Sequence, residues 1–261
     1  SSVSGFRMEV EERRPSLFRA TPSGVVVEEF ELRNHESQGG KRWIASLTSE
    51  GAVNDTLLTY LSPPVLGADG RPYRGARFYT PEMVWDISSE LDLICGTNDE
   101  YRIHTYSGGS LVRITSKPFH PAPVEDSEIE GIRDLFYEWM REGRWPPERM
   151  DETWSNVPIA ETYPAFQGLA FGPRGTIWVQ QTQRVSELND LEFWATVNGL
   201  WTNGAREWDV FDSEGRFLGV VTMPEGFRAW LFRGETIYGT WYDEFDVPFV
   251  VRLGVIDPTE S

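Results

Sequence analysis

The sequence predicts an all-β chain: about four propeller-like blades in a partial or open arc, with one helical insertion near residues 126–141. Three observations carry this. Short apolar runs alternate with period two and are punctuated by Gly, Asp-Gly and Pro. An order of aromatic opening strand, glycine turn, second strand, acidic turn and third strand recurs along the chain. In one stretch alone, apolar residues fall instead at three- and four-residue steps, the signature of one helix face.

Residues 1–62 hold the N-terminal strands. Val25–Leu32 follows a Pro22-Ser23-Gly24 turn, and Lys41–Leu47 lies between Gly39-Gly40 and Glu50-Gly51. A Pro- and Gly-rich loop from Ser62 to Gly75 has Asp69-Gly70 as its turn. The first clear blade, 78–117, opens on Phe78-Tyr79-Thr80-Pro81 and continues through Met83–Ile87, Leu91–Cys95, Tyr101–Tyr106 and Ser110–Ile114.

The helical insertion occupies 118–160. Its apolar positions are Ile129, Ile132, Leu135, Phe136, Trp139 and Met140. Asp126 or Ser127 is expected to cap the first turn, and Gly143 with Pro146-Pro147 to end the helix. Gly131 in its middle costs roughly 1 kcal/mol relative to Ala. Such a stripe either packs on the β body or docks a partner.

A second unit, 161–226, runs from Tyr163-Pro164-Ala165-Phe166 through Gly175–Val179 and Trp208–Phe211 to Arg216–Gly219. Its extra length, Arg184–Asp190 and Asn198–Asn203, is read as an elongated hairpin. The last blade, 227–257, contains Phe227, Trp230, Thr236–Gly239 and Phe249–Leu253. Four-stranded units of about 40–50 residues are the pattern of propeller blades.

Composition narrows the function classes. In 261 residues, 24 Lys and Arg face 41 Asp and Glu, a formal charge of −17. That balance argues against a nucleic-acid partner, which binds through Lys and Arg clusters, and against an anionic membrane surface. The single Cys95 excludes an intrachain disulfide framework and a Cys-based zinc cluster. No run of about 18 apolar residues reads as a transmembrane span. The Ser-Ser-Val-Ser-Gly start lacks the basic flank and apolar core of a signal peptide.

Chemical candidates are sparse. His35, His104 and His120 form no metal-binding spacing. Cys95 ends an apolar strand, where a small buried hydrophobe is the ordinary use. The acids Asp209, Asp212, Asp243, Glu244 and Asp246 suit β-turn capping better than a calcium loop. No catalytic, cofactor or metal residues are therefore assigned. Aromatics are abundant, with 11 Trp, 9 Tyr and 15 Phe. Trp85, Trp178, Trp208, Trp230 and Trp241 are expected to wedge between blades. Trp139, Trp145, Trp154, Trp194 and Trp201 lie in insertions and are candidates for partner contact, with local packing as the alternative.

Several segments resemble the C-terminal blades of bacterial six-bladed β-propeller proteins of the TolB-like and NHL-like type. They are Tyr163–Phe166, Gly172–Val179, Trp208–Arg216 and Tyr242–Pro248, with Gly96–Tyr101, Gly109 and Leu111 matching a preceding blade. The resemblance implies a propeller fold and an exported, periplasmic location, and does not mark an activity. A closed six-bladed ring needs a longer chain than this, so either upstream blades are missing, or the ring is smaller, or the sheets stand as an open arc with an uncovered end. The function expected is that of a non-catalytic extracytoplasmic scaffold with a protein partner. It would be a peripheral accessory subunit of a larger complex, with membrane-attached respiratory or photosynthetic assemblies as one setting. The alternatives are a metal-dependent, lactonase-like propeller hydrolase and a carbohydrate- or peptide-binding module.

Overall fold

The computed structural model describes residues 13–21, 23–31, 40–73, 75–197, 204–243 and 247–255. The described residues are 46% strand and 18% helix, in four antiparallel sheets of three or four strands, and among them no closed ring is seen. The first sheet comprises β1 (Arg13–Thr21), β2 (Gly24–Glu31), β3 (Gly40–Leu47) and β4 (Val53–Ser62) in that order. The second comprises β5 (Met83–Ile87), β6 (Leu93–Thr97), β7 (Arg102–Ser107) and β8 (Ser110–Ser116), again in order.

Helices α1 (Asp126–Glu142) and α2 (Pro147–Ser155) follow. The third sheet holds β9 (Gly168–Phe171), β10 (Ile177–Thr182), β11 (Gly204–Phe211) and β12 (Phe217–Thr222), with α3 (Asp190–Val197) between β10 and β11. The fourth has three described strands, β13 (Phe227–Arg233), β14 (Thr236–Tyr242) and β15 (Pro248–Gly254).

Each sheet is a meander because its turns are locally specified. Asp212 Oδ1 accepts the backbone N–H groups of Glu214 and Arg216, both at 2.8 Å, while Gly215 takes φ 82°. In the loop between the first two sheets, Asp69 Oδ1 likewise accepts the Arg71 N–H at 2.9 Å, and Gly70 supplies φ 74°. Asp243 Oδ1 accepts the Val247 N–H at 3.0 Å. These acids are turn residues, as their positions predict.

Apolar cores join successive sheets. Val26 and Ile44 of the first sheet pack with Trp85, Ile87, Leu93 and Cys95 of the second. Ile94 and Ile103 meet Leu169, Ile177 and Val179 of the third. Trp178, Trp208 and Val210 meet Phe227 and Ile237 of the fourth. In β6, Leu93 and Cys95 thus point one way and Ile94 the other, so its unbroken apolar run reflects burial on both faces. The N-terminal end of this series is also covered: β3 is buried from Trp43 to Leu47.

The helices build a fourth core. Ile132, Phe136 and Met140 of α1 pack with Phe78, Tyr79, Met150, Val185, Leu188 and Phe193. This is the stripe the periodicity predicts, buried against neighbouring insertions and the segment leading into β5. Three expectations are corrected. The N-cap of α1 is Glu125 with no side-chain cap bond, in place of Asp126 or Ser127. Pro146-Pro147 ends one helix but also starts α2, because Pro at a first helical turn loses no hydrogen bond. The connection of β10 to β11 is not an elongated hairpin: it contains a 3₁₀ turn at Val185–Glu187 and α3. The Asn189 side chain accepts the Glu192 N–H at 2.9 Å and Glu192 accepts the Asn189 N–H at 3.1 Å, a reciprocal cap that starts α3.

Candidate functional site

The opening strands β1, β5, β9 and β13 contribute to one large cleft of about 1440 Å³, which also reaches the start of β3 and the end of β4. Strands β8, β12 and β15, the last of their sheets, contribute nothing to it.

Asp86 of β5 joins three sheets at the cleft wall. Its Oδ2 accepts the Phe171 N–H from β9 at 2.9 Å, and its Oδ1 lies 3.5 Å from Arg19 Nε of β1. The Arg19 guanidinium sits 5.5 Å from the centre of the Trp85 ring. Burial raises the Asp86 pKa above its ordinary value, and outweighs the lowering by the Phe171 N–H and by Arg19. Arg77 pairs with Glu82 at 3.1 Å, and Arg228 of β13 pairs with Glu192 of α3.

Among the described lining residues, six are Lys or Arg and four are Asp or Glu. The whole chain runs the other way, at 24 against 41. Lys41 of β3 and Arg206 of β11 are exposed and meet no carboxylate among the described residues. Lys41 Nζ lies 5.4 Å from the Trp43 ring centre, and Arg206 Nε donates to the Met223 carbonyl at 2.9 Å.

Gln180 reaches into this wall because Gly168 and Gly204 have no Cβ. One placed on them would fall within 2.7 Å and 2.2 Å of its side chain. Its Nε2 donates to the Ala205 carbonyl at 2.9 Å. Trp230 is 53% exposed at the cleft, and its Nε1–H donates to Thr240 Oγ1 at 2.9 Å.

Two buried carboxylates away from the cleft lock elements together. Glu128 Oε1 accepts from Tyr79 OH at 2.6 Å and from the N–H groups of Val185 and Ser186 at 2.9 and 3.1 Å. Its Oε2 accepts from Ser186 Oγ at 2.5 Å. Tyr79, at φ 60°, is held in a backbone region that costs a non-glycine residue about 1–3 kcal/mol. Asp209 accepts from Tyr101 OH at 2.6 Å, Lys117 Nζ at 2.9 Å and Gln181 Nε2 at 3.1 Å, which ties the second sheet to the third. Asp209 is thus an inter-sheet residue and not a turn residue, unlike Asp212.

The outer strands carry a second surface. Leu111, Val112 and Ile114 of β8 are exposed, as are Phe217, Leu218, Val220 and Val221 of β12 and Phe249 and Val250 of β15. The turn before β12 touches β8, where a Cβ at Gly215 would come within 2.8 Å of Thr115 Oγ1.

The sequence-selected tryptophans divide. Trp139 packs at a tilt against Phe136, ring centres 5.3 Å apart, and Trp154 against the same ring at 5.8 Å, so both serve the helical core. Trp145 and Trp194 are exposed. Trp139 and Trp194 share a shallow groove with Leu135 and Phe193 between α1 and α3. Trp201 lies outside the described residues, as do His35, Glu244 and Asp246. Trp85, Trp178 and Trp208 sit between sheets as expected, while Trp230 and Trp241 on the last sheet are exposed. Cys95 is buried, which pushes its thiol up to about 12. Burial lowers the His104 pKa, helped by the Arg102 charge. Among the described residues no group of three or more His, Cys, Asp or Glu is placed to hold a metal ion. Nor, among the described residues, is any helix long and apolar enough to cross a membrane.

Sequence reasoning missed Lys41, Asp86, Gln180 and Arg206. The one local signal was Asp86, a charge inside an otherwise apolar strand.

No family model matches the chain, and no curated protein matches it. Among solved structures, a protein of unknown function from Bacteroides caccae is similar over 95% of this chain and 65% of its own, at 9% identity and a TM-score of 0.40. The chain therefore spans less than two thirds of that protein's length.

Proposed function

We propose that this is a non-catalytic interaction protein, an open arc of four propeller-like blades whose outer strands receive a partner polypeptide. The observation that carries this reading is the set of nine exposed apolar side chains on β8, β12 and β15. Adjacent residues such as Val220 and Val221 point to opposite faces of the sheet, so these outer strands present apolar side chains on both, and exposed apolar surface of this kind often marks an interaction site. The fourth sheet favours strand addition as the mode. It has three described strands where the others have four, and Val250 of its last strand is 85% exposed. An incoming strand would satisfy the outer backbone groups of β15 while its side chains cover the apolar rim.

An extracytoplasmic accessory role in a larger assembly agrees with such a surface, and it rests on the propeller resemblance alone. The test compares the wild type with a Val112→Lys, Leu218→Lys, Val250→Lys triple variant, since all three positions are exposed. The expected result is a cross-linked partner recovered with the wild type and lost with the variant, at an unchanged melting temperature. Equal recovery with both would contradict the reading.

A further inference from the structure

The cleft is separate from the outer rim, and its chemistry is different. Its volume exceeds the ~300–1,000 Å³ usual for sites that take one small molecule, so an extended ligand fits better. Its walls offer side chains rather than a strand edge alone: the Trp230 ring, the Gln180 amide, and the exposed cations Lys41 and Arg206. Arg19, Arg77 and Arg228 each already face a carboxylate. Beside Lys41 and Arg206, the described lining holds one further cation, Arg42, and one further carboxylate, Asp99. In a chain of charge −17 an anion would be repelled from most of the surface and drawn to this cleft.

We propose that the cleft binds an acidic oligosaccharide, a short chain of uronate-type sugars. A sugar ring stacks its C–H face on an aromatic ring. Trp230 is half exposed and its orientation is fixed by the bond to Thr240, so it is an ordered platform. Hydroxyl groups match the carbonyl oxygen of the Gln180 side chain, whose Nε2 is committed to Ala205. Carboxylates match Lys41 and the two terminal nitrogens of Arg206, whose Nε is committed to Met223. The cations sit on the first and third sheets and the ring on the fourth, so one ligand would span the cleft.

The experiment is calorimetric titration of the full chain with trigalacturonate, maltotriose and hexaglutamate. Trigalacturonate is expected to bind, more weakly as salt rises, and maltotriose and hexaglutamate are expected to bind at least tenfold more weakly. Lys41→Gln and Arg206→Gln should each lower trigalacturonate affinity about fivefold, at an unchanged melting temperature. Trp230→Ala should weaken it without changing the salt dependence. The proposal is overturned if trigalacturonate fails to bind or binds no better than maltotriose. Tighter binding of hexaglutamate, or an affinity unmoved by the Lys41 and Arg206 substitutions, would overturn it too.

Discussion

Gly131 shows how a single position reverses a sequence argument. On propensity alone, Gly131→Ala would stabilise α1 by roughly 1 kcal/mol. In the folded chain a Cβ there would lie 2.5 Å from Ser186 Cβ, beside the turn that Glu128 holds. The substitution is expected to destabilise by about 1–3 kcal/mol, read by urea denaturation, and a gain in stability would refute the close approach. Asp86 makes a second prediction. Its pKa is raised, so the native state holds a proton more tightly than the unfolded state. Its contribution to stability therefore falls as pH rises from about 4 through the native value. The stability of the wild type relative to Asp86→Asn should shrink over that rise. A difference that grows with pH would mean that the Arg19 ion pair outweighs desolvation.

At the scale of elements, the strands were legible because their turns carry explicit chemistry. Met83–Ile87 is read from alternation and found unchanged, and Asp212 and Gly215 mark the β11–β12 turn. Strand β4 was not individually legible: half of VNDTLLTYLS is polar and none of it is fully buried, and the contact of Leu57, Leu58 and Tyr60 with the core between the first two sheets is made only in the folded chain. Helix α3 was hidden for a different reason. Its eight residues are too few for a clear apolar period, and it is fixed by the Asn189–Glu192 cap and the buried Phe193.

Contacts between elements were less legible, since nothing near Asp209 in sequence announces Tyr101 or Lys117. The ranking of two substitutions tests that link. Lys117→Met leaves a buried carboxylate without its cation and should cost about 2–3 kcal/mol. That is less than the ~3–5 of a fully buried pair, because Lys117 remains partly screened by solvent. Asp209→Asn removes the buried charge itself and should cost less; the opposite order in denaturant melts would contradict the account.

Across the whole molecule, four repeated sheets were foreseeable from the glycine and aromatic rhythm. The division of surfaces was not. It depends on which strand of each sheet turns toward the cleft and which outward, and a period-two pattern is the same for both. That is why Trp230, expected between blades, emerges as an exposed ring at the cleft, and why the apolar side chains of β8 and β12 face outward.

The central proposal is that the last sheet, which ends at β15 among the described residues, keeps an edge that another polypeptide fills. Amide hydrogen exchange of the peptide 248–254, at low protein concentration without a partner, tests it most directly. The account predicts exchange far faster there than in β10, which is paired on both sides. Protection equal to that of β10 in the isolated chain would show the edge already covered, and would contradict it.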